Sequence, residues 1–214
     1  MSEVISSKRI KHTPALLTII VDGVNLMNHP LEPRLLLKTD HLEIQNLDVN
    51  PETLTSEELY KILCFLQGTS LNLSGRQKVL LRTIDNKLIG IDPRLKPPPT
   101  FTQFLDMMHR FSEDDLVYNV DGNTILMKYV KSDLEQSLPP GAPRYCVFIG
   151  NETPVDPKTF IDGNPIAVYV SIDPKKISSD ELLLKKFCLS NDKLTTESTI
   201  WRVIKAVESK ANIW

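Results

Sequence analysis

The sequence predicts an α+β protein in which an antiparallel, hairpin-rich sheet or sheets carries about four amphipathic helices. Two observations support this. An acid–glycine or acid–asparagine pair recurs at Asp22-Gly23, Asp85-Asn86, Asp121-Gly122 and Asp162-Gly163, each time between apolar or β-branched residues. Several further segments repeat apolar residues at three- and four-residue spacing behind a capping residue. Asn, Asp and Gly tolerate the positive φ that a tight hairpin turn needs, so such a pair between strand-like runs predicts a hairpin.

Each predicted element follows from local chemistry. "ALLTIIV" enters the first pair and "VNLM" leaves it; "KVLLRTI" and "KLIGI" flank Asp85-Asn86; "DLVYNV" and "NTILMKYV" flank Asp121-Gly122. "NPIAVYVSI" follows Asp162-Gly163, with Pro165 at the strand entrance, where a missing N–H costs least. The first helix, "TSEELYKILCFLQG", pairs Thr55 with Glu58 as a capping box, sets Leu59, Ile62, Leu63 and Leu66 on one face, and offers Gly68 as a left-handed stop. The second, "TFTQFLDMMHRF", repeats that logic with Thr100 and Gln103, and with Phe104, Leu105, Met108 and Phe111 on its stripe. "SSDELLLKKFCL" pairs Ser178 with Glu181, and the C-terminal helix places Ile200, Val203, Ile204 and Val207 at helical spacing.

Two proline-rich breaks organise the chain. "IDPRLKPPPTF" (residues 91–101) reads as a stiff connector into the second helix. "SLPPGAPRY" (residues 137–145) divides a main lobe, 1–138, from a smaller one, 144–214, packed on it; a single domain over 13–214 is the alternative.

The chain has 214 residues, 41% hydrophobic and 24% charged, with a net charge of -2. That balance shows no basic excess of the kind a dedicated nucleic-acid binder carries. No apolar run reaches the roughly 18 residues of a spanning helix, and no signal-peptide pattern is present. Cys64, Cys146 and Cys188 are odd in number and far apart, which suits reduced core thiols in a cytoplasmic protein. Without secretion the triplets at Asn72 and Asn151 are chance matches to a glycosylation site.

The search for catalytic chemistry is mostly negative. His12, His29, His41 and His109 have no metal-ligand spacing, and no nucleophile elbow, Walker loop or dinucleotide fingerprint occurs. "LLTIIVDGVNLM" resembles the first strand of a PIN/NYN-type nuclease, which would make Asp22 a metal ligand. Such a site needs several converging carboxylates, and the helix that should follow the strand is missing. The four aspartates are therefore read as turn residues, with no catalytic residue, metal or cofactor expected.

Three stretches, "YKILCFLQGTSLNL" (60–73), "IDPRLKPPPTF" (91–101) and "GNTILMKYVKSDLE" (122–135), resemble vesiculovirus-type rhabdovirus matrix proteins in the same order. The chain lacks that family's lysine-rich N-terminus and Pro-Pro-x-Tyr motif and is not basic. The resemblance implies a non-enzymatic protein that self-associates between a nucleocapsid and a membrane, in host cytoplasm and virion.

The reading is thus a structural or assembly protein whose partners are copies of itself and other proteins, with no small-molecule substrate. Pro97, Pro98, Pro99 and Phe101 of the connector, with Trp201 and Trp214, are its candidate contact residues. One rival reading is a metal-dependent nuclease or hydrolase using Asp22. Another is a nucleic-acid-binding factor using Lys8, Arg9 and Lys11 with Lys175, Lys176, Lys185 and Lys186.

Overall fold

A single mixed sheet organises the computed structural model, in which residues 15–173 and 184–213 are described. Its strands are β1 (Leu17–Val24), β2 (Gln77–Thr83), β3 (Leu88–Ile91), β4 (Leu116–Tyr118), β5 (Ile125–Tyr129), β6 (Arg144–Ile149), β7 (Ile166–Ser171) and β8 (Lys185–Ser190). They lie in the order β4-β5-β3-β2-β1-β7-β6-β8. β1 runs parallel to β2 and β7, and β6 runs parallel to β7 and β8. Only β2–β3, β3–β5 and β4–β5 are antiparallel. The expected antiparallel, hairpin-rich sheet is therefore corrected to a mostly parallel one. The physical reason lies in burial: Leu17, Ile19, Ile20 and Val21 are each at most 1% exposed, so β1 is covered on both faces. A continuous apolar run of this kind belongs to a central parallel strand rather than to a half-wet antiparallel one.

Two of the four acid-containing pairs are hairpin turns and two are not. Asn86 (φ 62°) turns β2 into β3, and Gly122 (φ 69°) sits in the loop from β4 to β5. There the Asn119 side-chain oxygen accepts from the N–H groups of Asn123 and Thr124. Asp22-Gly23, however, lies inside β1. Pairing with β2 steps from Asp22↔Arg82 to Val24↔Thr83, so Gly23, at φ 83°, forms a bulge. Asp162-Gly163 precedes β7 in the crossover from β6, where Asp162 accepts from the N–H of Asn164.

The helices are α1 (His41–Asn46), α2 (Ser56–Gln67), α3 (Ser70–Leu73), α4 (Phe101–Asp114), α5 (Leu134–Ser137) and α6 (Thr196–Ala211). The three long ones have the predicted apolar faces. Leu59, Ile62, Leu63 and Leu66 of α2 are fully buried, as are Phe104, Met108 and Phe111 of α4. Thr100 caps α4 by accepting from the Gln103 N–H, and Thr195 caps α6 by accepting from that of Ser198. At α2 the expected capping box is absent: the Thr55 hydroxyl accepts from the Asn25 N–H instead, at 2.9 Å, and Gly68 has φ -90°. Of the helix predicted from Ser178, that residue and Glu181 lie outside the described residues. Its second half is β8, where Lys185 and Lys186 are exposed while Cys188 and Leu189 are buried.

Alternate residues of the strands feed two cores. Leu17, Ile19 and Val21 join Val79, Leu81, Val168 and Val170 beneath α2, α4 and α6. On the other face Ile20, Leu80, Cys146, Ala167 and Tyr169 pack with Leu138. Each fully buried Leu, Ile or Val contributes roughly 1.5–3 kcal/mol of transfer free energy. β7, from beyond the 137–145 break, pairs with β1 from before it, and the core beneath the helices draws on both segments. Cys146 and Cys188 are core thiols as expected, whereas Cys64 is exposed on α2. No described helix is long and apolar enough to cross a membrane.

Candidate functional site at the carboxyl edge of the sheet

The five parallel strands end at one edge, at Thr83, Val24, Ser171, Ile149 and Ser190. After β1 the chain leaves toward β2, and after β7 it crosses to β8 on the opposite side. In open α/β sheets ligands sit outside the carboxyl ends of the strands, where successive connections diverge in this way. Here that place is the β1–β7 junction. Polar side chains collect along the edge although they are buried: Asp22, Asn25, Arg82, Thr83, Ser171, Ser190 and Thr196 are all at most 9% exposed.

Asp22 and Arg82 are register partners, and the Arg82 Nε donates to Asp22 Oδ1 at 2.7 Å. The guanidinium carbon lies 5.9 Å from the Tyr169 ring centroid. The bulge at Gly23 brings the backbone close to β7, 3.6 Å from Ile172 Cγ2 by the position a Cβ would take. The Ile172 N–H donates to the Asp22 carbonyl at 2.8 Å, and the Thr196 hydroxyl donates to the Ile172 carbonyl at 2.9 Å. The start of α6 is thereby fastened to the end of β7.

The β6 and β8 loops are joined as well. The Gly150 N–H donates to the Ser190 carbonyl at 3.2 Å, and the Cys188 thiol donates to that same carbonyl at 3.3 Å. The Asn191 amide, with its nitrogen turned inward, donates to the carbonyls of Glu152 and Gly150 at 2.7 and 3.1 Å. A Cβ on Gly150 would stand 3.0 Å from the Phe148 ring, a contact tight enough that the ring would have to shift. Glu152, Asp173, Asp192 and Lys193 are the charged residues that stand nearest the ends of β6, β7 and β8 among the described residues.

The aspartates singled out by sequence do not converge. Asp22 faces Arg82, Asp85 is held by Thr83 and Lys87, Asp121 lies in the β4–β5 loop, and Asp162 precedes β7. Among the described residues one group has metal-ligand spacing, His29, Asp40 and Glu43. Its hydrogen bonds argue against a metal. His29 Nδ1 accepts from the N–H groups of Leu31 and Glu32, which places the ring proton on Nε2, 3.8 Å from Glu43. Asp40 is taken up by both guanidinium nitrogens of Arg34 and by the Leu37 N–H. The Arg34 hydrogen bond, foremost, holds the Asp40 carboxyl below its usual range.

The predicted contact residues lie elsewhere. The Pro98 carbonyl accepts from the Tyr60 hydroxyl at 3.0 Å, with Pro97 half-buried and Pro99 exposed beside it. The Phe101 ring is 5.6 Å from that of Tyr60, so the connector is fixed against α2. Trp201 is 49% exposed and lines a groove of about 750 Å³ between α6 and residues 154–158. Trp214, His12, Lys8, Arg9, Lys11, Lys175 and Lys176 lie outside the described residues. Sequence reasoning missed Arg82, Tyr169, Gly150 and Ser190. The available signal was that "TIIVD", "VLLRT", "VYVS" and "FCLS" are apolar runs that close on a polar residue.

Comparison with known proteins gives a consistent answer. Residues 16–208 match the family described as EMG1/NEP1 methyltransferase. The ribosomal RNA small subunit methyltransferase mra1 of Schizosaccharomyces pombe is 27% identical over 103 residues, 48% of this chain and 28% of that protein. Ribosomal RNA small subunit methyltransferase NEP1 of Drosophila melanogaster is 26% identical over 138 residues, 63% of this chain and 55% of that protein. The matched segments thus span between about a quarter and about half of these relatives. The crystal structure of Archaeoglobus fulgidus Nep1 bound to S-adenosylhomocysteine superposes with a TM-score of 0.70, covering 94% of this chain and 100% of that one at 15% identity. That likeness is one of fold. These findings overturn the rhabdovirus matrix resemblance and, with it, the expectation of a non-enzymatic virion or assembly protein without a small-molecule ligand. The hydrolase reading of Asp22 and the general nucleic-acid-binding reading give way to the same finding. From the start of β1 almost to the end of α6, this chain belongs to the EMG1/NEP1 methyltransferase family.

Proposed function

We propose that the chain is an RNA methyltransferase that holds an S-adenosylmethionine donor at the carboxyl edge of β6, β7 and β8 and acts on a base of small-subunit ribosomal RNA. The observation that carries this reading is the family match, which spans every strand contributing to that edge. The chain's own residues fit the donor. Buried hydroxyls of Ser171 and Ser190, with the backbone around Gly150, offer hydrogen bonds of both senses to a nucleoside. When bound, the donor supplies an electrophilic methyl group on sulfur. The Gly150 N–H ties the β6 loop to the end of β8, and Thr196 keeps the α6 end in place beside it.

Isothermal titration with S-adenosylhomocysteine, followed by transfer of radiolabelled methyl from S-adenosylmethionine to small-subunit ribosomal RNA transcripts, tests the reading. Micromolar binding and RNA-dependent incorporation are expected. A protein that is folded yet takes up neither ligand nor label refutes it.

A further inference from the structure

A cavity of about 530 Å³ opens on the face of the sheet turned away from α2, α4 and α6. Register sets its floor: Leu80 pairs with Gly90 and Gly90 with Lys128, so Lys78, Leu80, Lys128 and Val130 point to this one face. Ser132, Gln136 and Ser137, in and before α5, form the far wall. Gly90 keeps the floor low, since a Cβ there would stand 3.2 Å from Val130 Cγ2. Lys78 lies at the other end of β2 from Arg82 and Thr83, so the cavity is apart from the carboxyl edge. Its size falls within the range of small-molecule sites, roughly 300–1,000 Å³.

Lys78 is a half-buried cation with nothing to neutralise it. Its Nζ donates to the Ser137 carbonyl at 2.6 Å, and it forms no ion pair with any described residue. Each neighbouring element fails to supply a carboxylate. Asp92, following β3, is spent on Arg94, whose Nε and terminal nitrogen lie at 2.8 and 2.9 Å. Glu135 of α5 is taken by Arg144. β5 contributes Lys128, a second cation, and β1 presents uncharged Thr18 as the register partner of Lys78. Burial of the ammonium is therefore uncompensated and pushes the Lys78 amine below its ordinary pKa.

A carbonyl accepts an N–H from an amine as it does from an ammonium. The neutral form thus keeps the Ser137 contact and has a lone pair to spare. Lysines desolvated in this way act as nucleophiles. We propose that Lys78 is an acylation site for short acyl thioesters admitted by this cavity. The Nζ lone pair attacks the thioester carbonyl carbon, the C–S bond breaks, and the thiol leaves with the proton that the nitrogen gives up. The amide left behind keeps one N–H for Ser137, and its acyl chain lies against Leu80 and Val130.

The test incubates the full chain with N,S-diacetylcysteamine, a small acetyl thioester, across a series of pH values. Peptide mass spectrometry then follows acetylation lysine by lysine. Lys128, exposed at the same cavity, meets the same reagent and serves as the reference. Lys78 should react several-fold faster than Lys128 near neutral pH, and its rate should level off at a lower pH. That lead should vanish when the chain is unfolded in urea. Equal or slower reaction at Lys78, one shared pH profile for the two lysines, or a lead that persists in urea overturns the proposal.

Discussion

Asn is as good a turn residue as Asp, so Asp22→Asn separates two accounts of the Asp22-Gly23 pair. Were the pair a solvent-facing reversal, the substitution would leave stability within about 0.5 kcal/mol of wild type. In the structure Asp22 and Arg82 meet at 2.7 Å with side chains only 13% and 6% exposed. Unit charges about 4 Å apart attract by roughly 4 kcal/mol at an effective dielectric of about 20. Removing one partner of a buried pair costs about 3–5 kcal/mol, because the remaining charge is desolvated without its counterpart. Residual exposure at Asp22 and the nearby Tyr169 ring place the expected loss at the low end, about 3 kcal/mol. For a domain of this size that corresponds to a fall in Tm of roughly 6–12 °C. Urea unfolding of Asp22→Asn, Arg82→Met and the double variant measures it, with a coupling of about 2 kcal/mol expected. A single-variant loss below about 0.5 kcal/mol, or additive single losses, refutes the ion-pair account.

Three further outcomes follow from named contacts. Gly23→Ala should destabilise by about 1–2 kcal/mol in chemical denaturation, because φ there is 83° and a side chain must adopt the left-handed region. Phe104→Ala, at 0% exposure under α4, should cost about 3–5 kcal/mol, and a loss under about 1 kcal/mol would mean that the core beneath the helices is not packed as described. The third concerns acid. Arg34 lowers the folded-state pKa of Asp40 below its ordinary 3.8, so this carboxylate contributes stability that is fully present above the unfolded value and lost as pH falls through the folded one. The stability difference between wild type and Arg34→Met, followed by urea melts from pH 6 to pH 2, should therefore shrink below about pH 4. A difference that stays constant across that range removes Asp40 from the account.

What the sequence disclosed and what it hid divide along a physical line. The faces of α2, α4 and α6 were legible because helical periodicity is a property of a few turns, and each stripe of Leu, Ile, Val or Phe is buried as the spacing requires. The turns at Asn86 and Gly122 were legible for the same reason: both strands of each hairpin lie in one short segment, 77–91 and 116–129. Strand partnership across the chain was not. Nothing near Leu17 states that its neighbours are Gln77, sixty residues on, and Ile166. The same local signal, Asp-Gly after an apolar run, serves as a bulge in one place and a loop residue in another, and only the partner strand decides which.

The site was hidden for a related reason. It is built where five strands end: β1 contributes Asp22, β2 Arg82 and Thr83, β7 Ser171 and β8 Ser190, beside the Ile149-Gly150 end of β6, and each looks like an ordinary strand terminus when taken alone. Asp22 reads in sequence as a carboxylate awaiting other carboxylates, but its partner is a cation sixty residues away, Arg82, on the adjacent strand. Backbone groups around Gly150 and Ser190 carry no side-chain signature at all, so their meeting at this edge leaves no motif to read. A parallel sheet can thus hold its chemistry in an edge assembled from single residues of remote segments, and the absence of a compact motif says little against an enzyme of this architecture.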